Sequence, residues 1–142
     1  RPLNNFFLNP FMEYLRKKYV CKNQIKKGRK GVRETIQYIK KGHSIALMID
    51  QRVSEGDRIN FFNTQAFTTT LPAQIALKYK LEIVPIFIER QNDNFFQMKV
   101  FNPIDTSSLN KIEISTKLNQ VLENMIKTNP YQWIWTHDRW KQ

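Results

Sequence analysis

The sequence has very little of what builds cross-linked or metal-stabilised proteins. Its 142 residues include a single cysteine, Cys21, and two histidines. One cysteine cannot form an internal disulfide, which fits a protein of a reducing compartment. So few cysteines and histidines provide no metal-binding cluster. We therefore expect neither a metal nor another cofactor.

Several sequence motifs and long apolar runs are also missing. There is no Gly-rich phosphate loop and no serine nucleophile elbow, the signatures of P-loop proteins and of α/β hydrolases. The apolar run at residues 44–49 is far shorter than the roughly 18 residues of a membrane-spanning helix. Because the first residue is Arg1 and the sequence starts in the middle of a pattern, we interpret the chain as part of a longer protein.

Acidic residues are scarce, so the chain is strongly basic. Its 23 Lys and Arg outnumber 12 Asp and Glu, and the formal net charge is +11. In residues 9–42, the basic segment, eleven Lys or Arg stand against two Glu, a net charge of +9. Such a charge density attracts polyanions, whether nucleic acid, an anionic membrane or a phosphorylated substrate. A solvated surface is the alternative, and charge alone does not choose among them.

The centre of the chain carries two apolar runs with a helical pattern between them. Residues 44–49 and 83–88 are almost unbroken apolar runs, typical of strands that are buried on both faces. Residues 71–80 have helical spacing, with Thr70 as the expected N-cap. Two buried strands around a helix predict a parallel βαβ unit within an α/β fold.

Polar side chains follow directly after both apolar runs. Asp50 and Gln51 come after the first run, and Glu89 and Arg90 after the second. Open α/β sheets bind ligands at the carboxyl ends of their strands, so these four residues are expected at one site. Asp50 is the strongest candidate, because an acid at the end of a buried strand is costly unless a partner stabilises it. A helix or turn cap is the alternative role.

Helical spacing and turn residues predict the remaining elements. We expect helices at residues 10–19, through Val32, Ile36 and Ile39 up to Gly42, and through residues 118–126 up to Pro130. A strand at residues 95–101 is expected to form a hairpin with the strand that ends at Ile88. The aromatic tail with Trp133, Ile134, Trp135 and Trp140 is expected to close the core, with a membrane interface as the alternative.

The two histidines offer little for catalysis. His43 lies just before the first apolar run and has no carboxylate at helical spacing. His137 lies beside Asp138 among tryptophans, where we expect packing or hydrogen bonding rather than proton transfer.

Short segments along the whole chain resemble, in order, those of one enzyme family. Arg1-Pro2-Leu3-Asn4-Asn5 is similar to the YRP-x-N-N segment of the bacterial lipid A biosynthesis late acyltransferases, the lauroyl/myristoyl acyltransferase family. The ending PYQWIWTHDRWK is similar to the family's P-E-Q-W-x-W-x-H-R-R-W-K, with Tyr131 in place of Glu and Asp138 in place of Arg. Further matching positions are Lys41-Gly42, Asp50-Gln51, Phe61-Phe62, Ala66, Thr68-Thr69-Thr70, Ala76, Val84-Pro85 and Arg90.

The resemblance implies a fold, an activity and partners. The fold would be an αβ sandwich of the glycerolipid acyltransferase-like type, with residues 1–142 as a single domain, the carboxyl-terminal portion of an acyltransferase domain. Family members move a fatty acyl chain from acyl carrier protein thioester, or from acyl-CoA, to a hydroxyl of a phosphorylated glycolipid, a lipid A precursor in lipopolysaccharide biosynthesis. They act at the cytoplasmic face of the inner membrane, an anionic membrane surface. No nucleic acid partner is expected.

The resemblance also suggests roles for single residues. Asp50 matches a functional aspartate of the family and would be a supporting catalytic residue. Arg1 is the arginine of the YRP-like segment, and Arg16 falls on a further family arginine. Together with Gln51 and Arg90, these arginines are the expected substrate-binding residues, and no metal site is expected.

The family's general base is the histidine of a His-x4-Asp/Glu motif. Five residues after His43 stands Met48, and five after His137 stands Gln142, so neither histidine reproduces the motif. We therefore expect the catalytic histidine upstream of Arg1 and this chain to be inactive alone.

The alternative functional class is a non-enzymatic basic module that binds nucleic acid or another polyanion. Such modules interleave exposed aromatics with basic residues. The aromatics of the basic segment, Phe11, Tyr14 and Tyr38, instead follow the helical spacing of a core face, which weighs against this class.

Overall fold

The computed structural model describes residues 5–25, 28–53, 56–92 and 94–141. The chain divides into two units, Arg1–Ala46 and Leu47–Gln142. The first contains the basic segment, and the second contains every strand found among the described residues.

The described part of the first unit contains two basic helices. The first helix, α1, spans Leu8–Tyr19, and the second, α2, spans Arg29–Lys40, close to the predicted ranges. After α2, Gly42 takes a left-handed conformation (φ +80°) and donates its N–H to the carbonyl of Ile39, a turn that favours glycine. None of the described residues of α1 is buried. The core role expected of Phe11 and Tyr14 is therefore wrong, since their side chains are 57% and 56% exposed.

The second unit consists of two antiparallel hairpins, two helices and a tail. The hairpins are β1 (Asp57–Phe61) with β2 (Thr64–Thr68), and β3 (Ile86–Asn92) with β4 (Phe95–Val100). The helices are α3 (Leu71–Tyr79) and α4 (Lys111–Thr128). The tail contains two 3-10 turns, Pro130–Gln132 and Trp135–His137.

The structure confirms some predicted elements and corrects others. Helix α3, the hairpin of β3 with β4, and the end of α4 before Pro130 agree with the prediction, as does the mixed α/β class. The parallel βαβ unit is wrong, because all pairings among the described strands are antiparallel. Glu89 and Arg90 consequently lie within β3 rather than beyond its end.

The predicted strand at residues 44–49 is also wrong. These residues pair with no described strand, and Met48 is 77% exposed. An apolar run of this length does not by itself specify a strand, because a strand also needs a hydrogen-bonding neighbour. Asp50 and Gln51 therefore follow a stretch of irregular backbone.

The core of the second unit forms around α4. Leu122 and Ile126 of α4 pack with the fully buried Phe61 of β1, and Trp133 and Trp140 of the tail cover this cluster. Burying a side chain of this size contributes about 1.5–3 kcal/mol to the free energy of unfolding. These two tryptophans close the core as expected, and they bring the tail against the first hairpin.

Two tail residues depart from that expectation. Ile134 is 71% exposed and Trp135 is 50% exposed. Only part of the predicted aromatic closure is therefore realised within the second unit.

A second cluster fixes the chain just before Asp50. Ala73 of α3 packs with Ile114 and Leu118 of α4, and Ile49 packs against this cluster. Residue 49 is thus anchored on α4 although no strand forms there.

Candidate functional site

A cavity of about 180 Å³ lies between the segment at Asp50 and the tail. It is lined by Asp50, Gln51, Gln132, Trp133, Ile134 and His137. Two of the predicted site residues, Asp50 and Gln51, therefore share one cavity. The other four lining residues belong to the tail, about 80 residues further along the chain, and sequence spacing could not place them next to Asp50.

The amide of Gln132 fastens the tail to β3. Its Oε1 accepts the backbone N–H of Arg90 at 2.8 Å, and its Nε2 donates to the carbonyl of Ile88 at 2.6 Å. Both the oxygen and the nitrogen of this amide are already hydrogen-bonded to β3. Asp50, Gln51 and His137 therefore supply the remaining polar side chains of the cavity.

The segment after Asp50 is tied to the tail through Arg52. The backbone N–H of Arg52 donates to Nε2 of His137 at 3.3 Å, and its Nε donates to the carbonyl of Lys141 at 3.0 Å. Because Nε2 of His137 is an acceptor, the neutral ring carries its proton on Nδ1. This geometry gives His137 the hydrogen-bonding role expected from the sequence.

Arg139 is a buried cation that sequence reasoning missed. Its side chain is 2% exposed, and its guanidinium carbon lies 4.1 Å from the ring centre of Phe61. Its Nη2 donates to Oδ1 of Asn119 at 2.8 Å and to Oγ1 of Thr68 at 3.2 Å. Its position in the tail motif was the available signal, since the similar family segment carries an arginine there.

The charges of two carboxylates affect the pKa of Arg139. Burial lowers the pKa of Arg139 to about 10, while the charges of Asp50 and Glu123 raise it. The guanidinium therefore keeps its charge at neutral pH. Among the described residues, Nε and Nη1 of Arg139 and the buried Oδ1 of Asp50 have no hydrogen-bond partner.

The other predicted site residues lie elsewhere. Arg1 is outside the described residues. Arg16 is on α1 in the first unit, whereas the cavity is lined by residues of the second unit. The exposed guanidinium of Arg90 lies 5.0 Å from the ring centre of Phe96 and does not line the cavity. Glu89 forms an ion pair with Lys99 at 2.7 Å.

The described ranges contain neither a metal cluster nor a membrane-spanning helix. No group of three or more His, Cys, Asp or Glu side chains is arranged to hold a metal ion there. Within the same residues, no helix combines the length and apolar character that crossing a membrane requires.

One protein-family model covers both the Asp50 segment and the tail. The model of the bacterial lipid A biosynthesis acyltransferase family matches residues 2–142. None of the curated proteins matches the chain. Because the family match includes both sides of the cavity and almost every residue of the sequence, the chain belongs to the bacterial lipid A biosynthesis acyltransferase family.

Proposed function

We propose that this chain is the substrate-binding part of an acyltransferase of lipid A biosynthesis. The donor is an acyl carrier protein thioester or acyl-CoA, and the acceptor is a hydroxyl of a phosphorylated glycolipid. The observation that carries this proposal is the family match over residues 2–142, which spans Asp50 and the tail that meet at one cavity. The protein acts at the cytoplasmic face of the inner membrane, where its basic segment meets anionic lipid.

The reaction transfers an acyl group from sulfur to oxygen. The acceptor hydroxyl attacks the thioester carbonyl, the C–S bond breaks, and the hydroxyl proton passes through a base to the leaving thiolate. Asp50 organises the reacting end of the acceptor, and Gln51 offers a donor and an acceptor to its hydroxyls. A cavity of about 180 Å³ holds that reacting end alone, since whole-ligand pockets measure about 300–1,000 Å³.

The arginines serve the phosphates of the substrates. Arg1 and Arg16 belong to the family-like positions, and Arg90 is exposed at the β3 strand. Guanidinium groups bind phosphate through paired N–H donors, which suits these positions. We further propose that both units belong to one domain, an αβ sandwich of the glycerolipid acyltransferase-like type.

The general base lies outside these 142 residues in this proposal. The ring of His43 packs edge-on against Tyr38 at 5.4 Å between centres, and the side chain is exposed. Nε2 of His137 already accepts the N–H of Arg52. Among the residues that the structure describes, neither histidine has the partner carboxylate that orients an imidazole base.

The experiment compares the purified chain with an upstream-extended protein. Each is incubated with an acyl carrier protein thioester and a phosphorylated glycolipid acceptor, and the acylated product is measured by mass spectrometry. We expect product from the extended protein only, and we expect its His137→Ala variant to remain active. Transfer by the chain alone that disappears in His137→Ala would contradict the placement of the base.

A second candidate function is a non-enzymatic polyanion-binding module. The exposed face of α1 favours it, because Lys18 lies over the rings of Tyr14 and Tyr19 at 5.6 and 5.0 Å. Basic side chains beside exposed aromatics are typical of surfaces that bind single-stranded nucleic acid. The same face also suits an anionic bilayer. Binding to anionic vesicles and to single-stranded nucleic acid, compared at the same salt concentration, distinguishes the two hypotheses.

A further inference from the structure

We infer that Arg139 is a positioning residue that holds the carboxylate of Asp50 in place at the cavity. This inference rests on the proposed role of Asp50 in acyl transfer. It adds a residue that does not line the cavity and acts through one that does.

The guanidinium of Arg139 is held in a fixed place by two elements. Asn119 of α4 and Thr68 of β2 accept from its Nη2, and the amide of Asn119 donates to Thr68 at 3.1 Å and to the carbonyl of Asn60 at 2.9 Å. The ring of Phe61 lies against the guanidinium face. A cation fixed on two sides in this way provides a stable point of positive charge.

The unused atoms of Arg139 and Asp50 are complementary. Nε and Nη1 are donors without a partner, and the buried Oδ1 of Asp50 is an acceptor without one, among the residues the structure describes. Among the described residues the two groups form neither an ion pair nor a hydrogen bond with each other, so Arg139 acts on Asp50 through charge attraction beyond contact distance. The bonds of Arg52 to His137 and Lys141 bring the Asp50 segment alongside the tail on either side of Arg139, and the charge of Asp50 raises the pKa of Arg139.

The backbone around Asp50 leaves its carboxylate dependent on this charge. Residues 44–49 form no strand, so no sheet ladder holds Asp50 in register. Packing of Ile49 and the bonds of Arg52 to the tail fix the segment on either side. Between them, the charge of Arg139 orients the side chain that borders the cavity.

The test is a double-mutant cycle in the upstream-extended protein. The variants are Asp50→Asn, Arg139→Met, Arg139→Lys and the double Asp50→Asn/Arg139→Met. The matched control is Arg58→Met, because Arg58 also lies over an aromatic ring, that of Phe67 at 5.1 Å, but its side chain is exposed. kcat and KM are measured separately for folded protein, with melting temperature as a check.

We expect Asp50→Asn to lower kcat at least about tenfold, which corresponds to about 1.4 kcal/mol. Arg139→Met should lower kcat by a similar factor with little change in KM, and Arg139→Lys should recover part of the loss. The double variant should be no worse than the poorer single variant, because both changes remove one interacting pair. Arg58→Met should keep wild-type kcat.

A second readout does not need activity. Hydrogen exchange in residues 47–53 should speed up in Arg139→Met, and less so in Arg139→Lys, as the segment loses its orienting charge. This measurement applies to the chain of 142 residues as well as to the extended protein.

The outcomes separate this inference from the proposed function. Losses in kcat that multiply in the double variant, or unchanged exchange at residues 47–53 in Arg139→Met, would overturn the positioning role while leaving the role of Asp50 intact. Wild-type kcat in Asp50→Asn would overturn the proposed role of Asp50 itself, and the inference with it.

Discussion

At the scale of single residues, the polar centre of the second unit is Asn119. This buried amide, 1% exposed, accepts from Arg139 and donates to Thr68 and to the carbonyl of Asn60. It joins α4, both strands of the first hairpin and the tail in one network. Its hydrogen bonds are satisfied, so its removal would leave several buried polar groups without partners.

We expect Asn119→Ala to lower the free energy of unfolding by about 1–3 kcal/mol, the usual cost of leaving a buried polar group unsatisfied. Urea denaturation of the chain measures the change. Asn124→Ala on the same helix is the matched control, because Asn124 is exposed, and it should change stability by less than about 0.5 kcal/mol. Equal losses in the two variants would mean that the network contributes nothing beyond helix propensity.

At the scale of elements, the hairpin of β3 with β4 has two different faces. Ile86 and Ile88 pair with Val100 and Met98 on one face, and all four side chains are more than half exposed. The other face carries the ion pair of Glu89 with Lys99. The hairpin therefore depends on a cross-strand charge pair as well as on apolar contact.

The ion pair makes a pH-dependent contribution to stability. The hydrogen bond from Lys99 holds the pKa of Glu89 below its ordinary value of 4.5. Because the folded pKa is the lower one, this stabilisation is present above pH 4.5 and is lost as the pH falls through the folded pKa. The free energy of unfolding, measured against pH, should differ between the wild type and Glu89→Gln above pH 4.5. The two values should converge as the pH falls through the folded pKa of Glu89.

Lys99→Gln provides the control for that measurement. It removes the partner and should abolish most of the same acid-sensitive component. If the wild type and Glu89→Gln follow parallel curves through this range, the ion pair does not couple to folding.

At the scale of the whole molecule, charge is distributed unevenly. The net charge is +11, and residues 9–42 account for +9 of it. On α1 the basic side chains stand beside exposed aromatics, including Phe11 and Tyr14. An anionic bilayer would meet both the charge and the aromatic rings of this helix.

We expect the chain to bind anionic vesicles and to lose that binding steeply as salt rises, since exposed charges are screened over about 8 Å at physiological ionic strength. Lys17→Gln/Lys18→Gln should weaken binding more than the matched pair Lys78→Gln/Lys80→Gln in the second unit. Co-sedimentation with vesicles measures both.

Two results would contradict the membrane assignment. Equal binding to neutral and anionic vesicles would remove the electrostatic basis. Tighter binding to single-stranded nucleic acid than to anionic vesicles at the same salt would favour the polyanion-binding module instead.

Local pattern was enough to predict the helices and the family. The interactions that form a helix join residues three and four apart, so spacing alone identified α1, α2 and α3, and Gly42 and Pro130 predicted where helices end. The short ordered segments carried the resemblance that the family match confirms. Asp50 and Gln51 were predicted from sequence as site residues and both line one cavity, but their function stays a prediction, and the strand used to argue for them does not form at residues 44–49.

Strand pairing, by contrast, was decided by tertiary structure. The hairpin of β1 with β2 escaped prediction because its turn is Phe62-Asn63, with φ of +51° and +60°, and lacks the glycine that usually signals such a turn. In the sequence, Arg139 is one more basic residue of the tail. Only the structure shows that α4, β2 and Phe61 enclose its side chain. Pairing and burial depend on partners far away in the chain, and such long-range contacts leave no periodic pattern in the sequence.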